Sequence, residues 1–173
     1  MGAKCFLALV LLALPLGGAS DGPLDRATLR GVAAVNVVID PIPQDVEKEG
    51  PTDSKMRARI EAKLRDAGIR IDPASHEFVA LRLSAVRAAR GRLNLSNPFA
   101  IAATISFYQP VTLVRDPQVH TATQTWEVAT VVLAGAAEVE RACLDTADEL
   151  AARFVSAYRS VNPAGDNAAD RGH

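Results

Sequence analysis

The chain has 173 residues, of which 49% are hydrophobic, and a formal net charge of -1. That composition excludes an intrinsically disordered polymer, and the balanced charge gives no support to a polyanion or an anionic membrane surface as partner. The length fits one domain, large enough to bury a core without help from a metal or disulfide.

The chain opens with "MGAKCFLALVLLALPLGGAS": a lysine, an apolar run from Cys5 to Leu16, then small residues. This is the order of a secretory signal peptide over residues 1–20, with cleavage after Ala19 or Ser20. The run is too short to span a bilayer core of about 30 Å. The protein is therefore expected to be exported, periplasmic or secreted, with no integral span once the leader is gone. Removing the leader leaves Cys143 as the only cysteine, so no internal disulfide is available. Its helical neighbours Val139, Ala147 and Leu150 point to a buried structural thiol.

Residues 21–30 read as a polar connector. Val32–Ile39 follows as a nearly continuous apolar, β-branched strand, the pattern of a strand covered on both faces or lying centrally in a sheet. Pro41 and Pro43 end it. Thr52 or Asp53 caps a helix to Ala67, with Met56, Ile60 and Leu64 on one stripe and Gly68 placed for a left-handed C-cap. Residues 69–71 form a short second strand. From Glu77 the period changes to two: Leu81, Leu83 and Ala85 take one face, Arg82, Ser84 and Arg87 the other. A turn-rich "RGRLNLSNP" separates this strand from the next, 99–114, in which Pro110 demands a bulge or an edge position. A turn at 115–118 leads to a third long strand, 119–132, and the three form an antiparallel meander. A closing helix from about Ala136 to Ser160 carries the stripe Val139, Cys143, Ala147, Leu150, Phe154, Ala157 and Val161, and Asn162-Pro163 stops it. The order β-α-β-β-β-β-α specifies an α+β fold, a two-layer α/β sandwich with a mixed sheet and both helices on one face. A single α/β domain spans 31–163, followed by a disordered tail, 164–173.

No catalytic, cofactor or metal constellation assembles in the sequence. His76-Glu77 begins like a zinc-protease motif, but the second histidine falls on Ala80 and the motif fails. No G-x-S-x-G elbow and no glycine-rich phosphate loop is present. His120 supports a hydrolase only if the fold brings it to Asp116, Glu127 or a serine. Asp40 and Asp116, each before a proline, read as turn residues. Arg82, Arg87, Arg90 and Arg92 form the one dense basic cluster, around a hairpin turn. They are a possible contact for an anionic partner, weighed against a solvated hairpin whose charge protects the edge. Few aromatics interleave with them, so nucleic acid is not indicated. Trp126 reads as a core residue.

The segments "LRGVAAVNVVID", "KLRDAGIRI", "QPVTLVRDP", "TQTWEV" and "FVSAYRSVNP" resemble a family of uncharacterised exported bacterial proteins, over about residues 29–163. The order of elements is also similar to the small amino-terminal α/β domain of TolB-type periplasmic proteins. The resemblance implies fold determinants and supplies no site residues. The function expected is a non-enzymatic exported domain that binds another envelope component, through a free sheet edge or the sheet face away from the helices. The alternative is a small-ligand or lipid-binding protein with an apolar pocket between helices and sheet.

Overall fold

The computed structural model describes residues 20–87 and 98–163. The expected leader up to residue 19, the segment with Arg90 and Arg92, and the expected tail from 164 lie outside the described residues. Ten elements follow in order: α1 (Pro23–Ala27), β1 (Ala34–Ile39), α2 (Gln44–Glu47), α3 (Asp53–Asp66), β2 (Arg70–Ile71), β3 (Phe78–Arg87), β4 (Phe99–Leu113), β5 (Asp116–Ala134), a 3-10 turn (Ala136–Glu138) and α4 (Val139–Val161). One five-stranded sheet has the order β2-β1-β3-β4-β5. β1 is parallel to β2 and β3, while β3, β4 and β5 form the antiparallel meander. The fold is the expected α+β sandwich: α3 packs on β1 and α4 on β4 and β5, from the same side.

β1 is interior, as its sequence suggests, but it is not covered on both sides. Val35, Val37 and Ile39 are buried under the helices, while Ala34, Asn36 and Val38 are half-exposed. An interior strand needs β-branched shape for its ladder, so its apolar character alone does not report a second covering layer. In α3, Thr52 Oγ1 accepts the Lys55 amide at 3.3 Å, and Met56, Ile60 and Leu64 are fully buried. Gly68 leaves the helix at φ +83°, the left-handed turn that glycine adopts without penalty. Exposed ion pairs, Lys55–Glu140 at 2.5 Å and Arg59–Asp148, bridge α3 to α4. Pairs of this kind add at most about 1 kcal/mol each.

The core lies between the helices and the sheet. Phe154 of α4 meets Phe107 at 5.9 Å and the edge of Trp126 at 5.3 Å between ring centroids. All three are fully buried, with Leu81, Ile101, Ile105 and Leu150 around them. The helix–sheet layer is filled by aromatic packing at this point. Cys143 is buried in the same layer, and burial pushes its thiol up to about 11. At pH 8 roughly one such thiol in a thousand is ionised. With Cys5 replaced by serine, the native protein is expected to resist a thiol-reactive dye at pH 8 and to react fully in denaturant.

Residues 21–30, read as a connector, belong to the packed body. Leu29 is fully buried. Asp21 accepts the Trp126 indole N–H at 2.8 Å and pairs with Arg26, whose Nη2 lies 2.6 Å away. At the far end, the Asn162 side chain donates to the Leu29 carbonyl at 2.9 Å and accepts the Gly31 amide at 2.8 Å. Gly31, at φ +76°, makes the turn that presents that amide. The buried Tyr158 hydroxyl donates to the Val32 carbonyl at 3.1 Å. A polar composition disguised this segment because, Leu29 apart, it is held by polar bonds to distant residues such as Trp126 and Asn162.

Two strand boundaries also move. The hairpin between β4 and β5 is a two-residue loop, Val114–Arg115, rather than a turn at 115–118, so β5 begins at Asp116 and runs to Ala134. Pro110 is accommodated because β3 stops at Phe78, opposite Tyr108. Beyond Tyr108, β4 pairs only with β5, and a register shift at Phe107/Tyr108 marks the change. Residues 109–124 thus form a two-stranded ribbon projecting past the sheet.

Candidate functional site

Both major helices cover one face of the sheet, and among the described residues the opposite face is open. Its composition follows from register. Val86, Ala100 and Leu133 stand directly across from one another, as do Ser84, Ala102 and Val131. Val86, Val131 and Leu133 are 71%, 67% and 75% exposed, an unusual state for large aliphatic side chains clustered in adjacent rows. The next rows are polar. Arg82 Nε donates to Asp40 at 2.7 Å, and Ser106 Oγ donates to Glu127 at 3.0 Å. Their neighbours Ala80 and Thr104 complete a shallow polar depression of about 60 Å³. The Asp40 carboxylate beside it holds the Arg82 guanidinium above its ordinary pKa, so it stays charged. The far end is aromatic: Phe78 and Tyr108 stack with centroids 4.8 Å apart. The open face therefore runs from aliphatic through ionic to aromatic along its length.

Of the four arginines of the sequence cluster, the two among the described residues, Arg82 and Arg87, do not share one surface. Arg82 and Arg87 are five apart on β3, and an odd spacing places them on opposite faces. Arg82 lies on the open face against Asp40. Arg87 lies on the helix side, 3.0 Å from Glu49 and with its guanidinium 4.4 Å from the Phe99 ring centroid. Asp40 is thus a strand-end ion-pair partner rather than a turn residue. Asp116 does act locally, accepting the Gln118 amide at 3.1 Å.

The candidate groups His120, Glu127 and Asp116 do not meet one another and have other partners. His120, exposed on the ribbon, has Nδ1 3.1 Å from Thr112 Oγ1. Glu127 is held by Ser106, and Asp116 by its own turn. A cleft of about 490 Å³ between the ribbon and the loop before β3 does bring His76 and His120 to one rim, with Ser75, Phe78 and Pro110. The Ser75 hydroxyl donates to the Ala34 carbonyl and accepts the Glu77 amide, each at 3.2 Å, so it is a turn-former and no poised nucleophile. Burial raises the Glu77 carboxyl above its ordinary pKa. No group of three or more His, Cys, Asp or Glu able to hold a metal occurs among the described residues. No helix among them is long and apolar enough to cross a membrane.

No family model matches the chain, and no curated protein matches it. Among solved structures it is similar to a PelC dodecamer from Paraburkholderia phytofirmans, 13% identical over 75% of this chain and 87% of that one, with a TM-score of 0.38. It is similar also to rare lipoprotein B from Shewanella oneidensis, 13% identical over 75% and 96% of the two chains, TM-score 0.38. A minor lipoprotein from Acinetobacter baumannii is 12% identical over 72% and 94%, TM-score 0.33. Likeness of this degree carries no functional argument.

Sequence reasoning did not reach the open-face patch as a unit. Its signal was present: Val86, Val131 and Leu133 are the apolar residues of the parity opposite to the core set.

Proposed function

We propose that this is an exported, non-enzymatic domain that binds another component of the bacterial envelope through its uncovered sheet face. The observation that supports the reading is the pair of exposed aliphatic rows, Val86/Ala100/Leu133 and Ser84/Ala102/Val131, beside an ionic strip on the sheet face opposite the helices. Apolar contact area supplies affinity, and the Asp40–Arg82 and Ser106–Glu127 pairs supply register and selectivity. Export rests on the leader-like first twenty residues, and the likeness in element order to TolB-type amino-terminal domains belongs to the same proposal. The anionic-partner contact expected of Arg82, Arg87, Arg90 and Arg92 belongs to the proposal too, with Arg90 and Arg92 outside the described residues.

Crosslinking in intact cells followed by affinity capture is expected to recover a defined envelope component. The pair Val86→Asp and Ala102→Asp, both at exposed positions, is expected to lower that yield at least tenfold with the thermal midpoint unchanged. Recovery of no specific component under several growth conditions contradicts the proposal.

A further inference from the structure

The two edges of the sheet are treated differently. On one side β2 is only two residues long, and past it Arg57 donates to the Val37 carbonyl, closing the exposed margin of β1. On the other side β5 is an outer strand of 19 residues. Natural edges are guarded by charge, proline or a bulge. The last stretch of β5, "VATVVLA" from Val128 to Ala134, has none of these. The Glu127 amide points away from β4, since it donates to the Ser20 carbonyl at 3.3 Å. Alternation then directs the amides and carbonyls of Ala129, Val131 and Leu133 outward as well. The edge already donates one main-chain bond to a residue outside the sheet, and beyond that point it is free among the described residues.

We propose that this edge seats a second copy of the chain, the two β5 strands pairing antiparallel about a twofold axis through Val131. The strand is its own complement. An axis at Val131 sets it opposite its mate, Ala129 opposite the partner's Leu133, and Thr130 opposite the partner's Val132. Each facing residue from Val128 to Ala134 is uncharged, and the pairing stops short of Glu127, whose outward amide Ser20 already holds. The outward groups then form about six main-chain hydrogen bonds. On the open face, the exposed Val131 and Leu133 gain apolar neighbours. A groove of about 410 Å³ between the end of β5 and α4 leaves room for the incoming strand. Its charged rim is largely paired within the chain, Arg141 with Glu138 and Arg153 with Glu149. The closed result is one ten-stranded sheet with both helix layers on the same side, a C2 assembly. A peptide strand from another protein would use the same hydrogen bonds, but the uncharged, self-matching sequence favours a copy of itself.

The inference is separable from the envelope partner, because it concerns the margin of β5 and needs no other component. Sedimentation velocity on the purified protein, from low to high micromolar concentration, is expected to show a reversible monomer–dimer equilibrium. Val131→Lys is expected to weaken dimerisation at least tenfold without changing the circular dichroism spectrum or melting temperature of the monomer. Val131→Cys is expected to give a disulfide-linked dimer under mild oxidation, since directly opposed residues lie about 5.5 Å apart at Cα. Ala122→Cys, on the projecting ribbon, is expected not to. A monomer at every concentration overturns the proposal, as does a dimer indifferent to Val131→Lys or a crosslink that forms at residue 122 and not at 131.

Discussion

Replacing Phe154 by alanine is expected to cost about 3–5 kcal/mol, the range for removing a fully buried phenylalanine. Phe154 is the residue through which α4 holds the sheet. Its ring is fully buried and contacts both Phe107 of β4 and Trp126 of β5. Truncation removes two aromatic contacts and opens a cavity that the neighbouring strands, fixed by their ladders, cannot close. In a domain of this size the melting temperature is expected to fall by roughly 10 °C or more. Phe154→Leu, which keeps most of the volume, is expected to lose less than half as much. Urea titration of the three proteins, followed by Trp126 fluorescence, checks the order. Equal losses would show that the ring geometry contributes nothing beyond bulk.

Replacing Asp21 by alanine is expected to cost about 1–3 kcal/mol, because it leaves a buried indole N–H without its acceptor. Asp21 joins the start of the folded chain to the sheet, accepting from Trp126 and from both Arg26 Nε at 2.8 Å and Nη2 at 2.6 Å. Arg26 first, then the indole N–H, holds the Asp21 carboxyl below its ordinary pKa against the opposing effect of burial. The sign follows. A carboxyl whose folded pKa lies below its unfolded value contributes stability at pH above the unfolded value, about 4, and loses it as the pH falls through the lower folded one. Thermal melts between pH 6 and pH 2.5 are therefore expected to show a steeper acid decline in the wild type than in Asp21→Asn. Parallel declines would remove Asp21 as a contributor.

The fold was legible in the sequence wherever one face of an element is apolar. The Met56–Ile60–Leu64 spacing, the Gly68 cap, the alternation in 101–107 and the stripe from Val139 to Phe154 each name a side that must be buried. Together they leave one arrangement of two helices on one sheet. What stayed hidden depends on polar groups that act across the chain. Nothing local marks Asp21 as the acceptor for an indole 105 positions away, nor Asn162 as the clamp on Leu29 and Gly31. For the two arginines of the basic cluster among the described residues, the reason is the opposite. Arg82 and Arg87 are near in sequence, but strand parity separates them and carboxylates from distant loops, Asp40 and Glu49, claim each. The open-face patch was visible only as leftover apolar residues, and register was needed to bring Val86 against Leu133 across β4.

The proposed docking surface for an envelope component is the uncovered face of the sheet. The most direct measurement places a photo-crosslinking residue, one position at a time, at Ala102 or Thr104 on the open face and at Ala152 or Ser156 on the outer side of α4. All are then irradiated in living cells. The expected result is a discrete adduct of the same mass from both sheet positions and none from the helix positions. Adducts from α4 alone, or equal and diffuse labelling from all four, would contradict it.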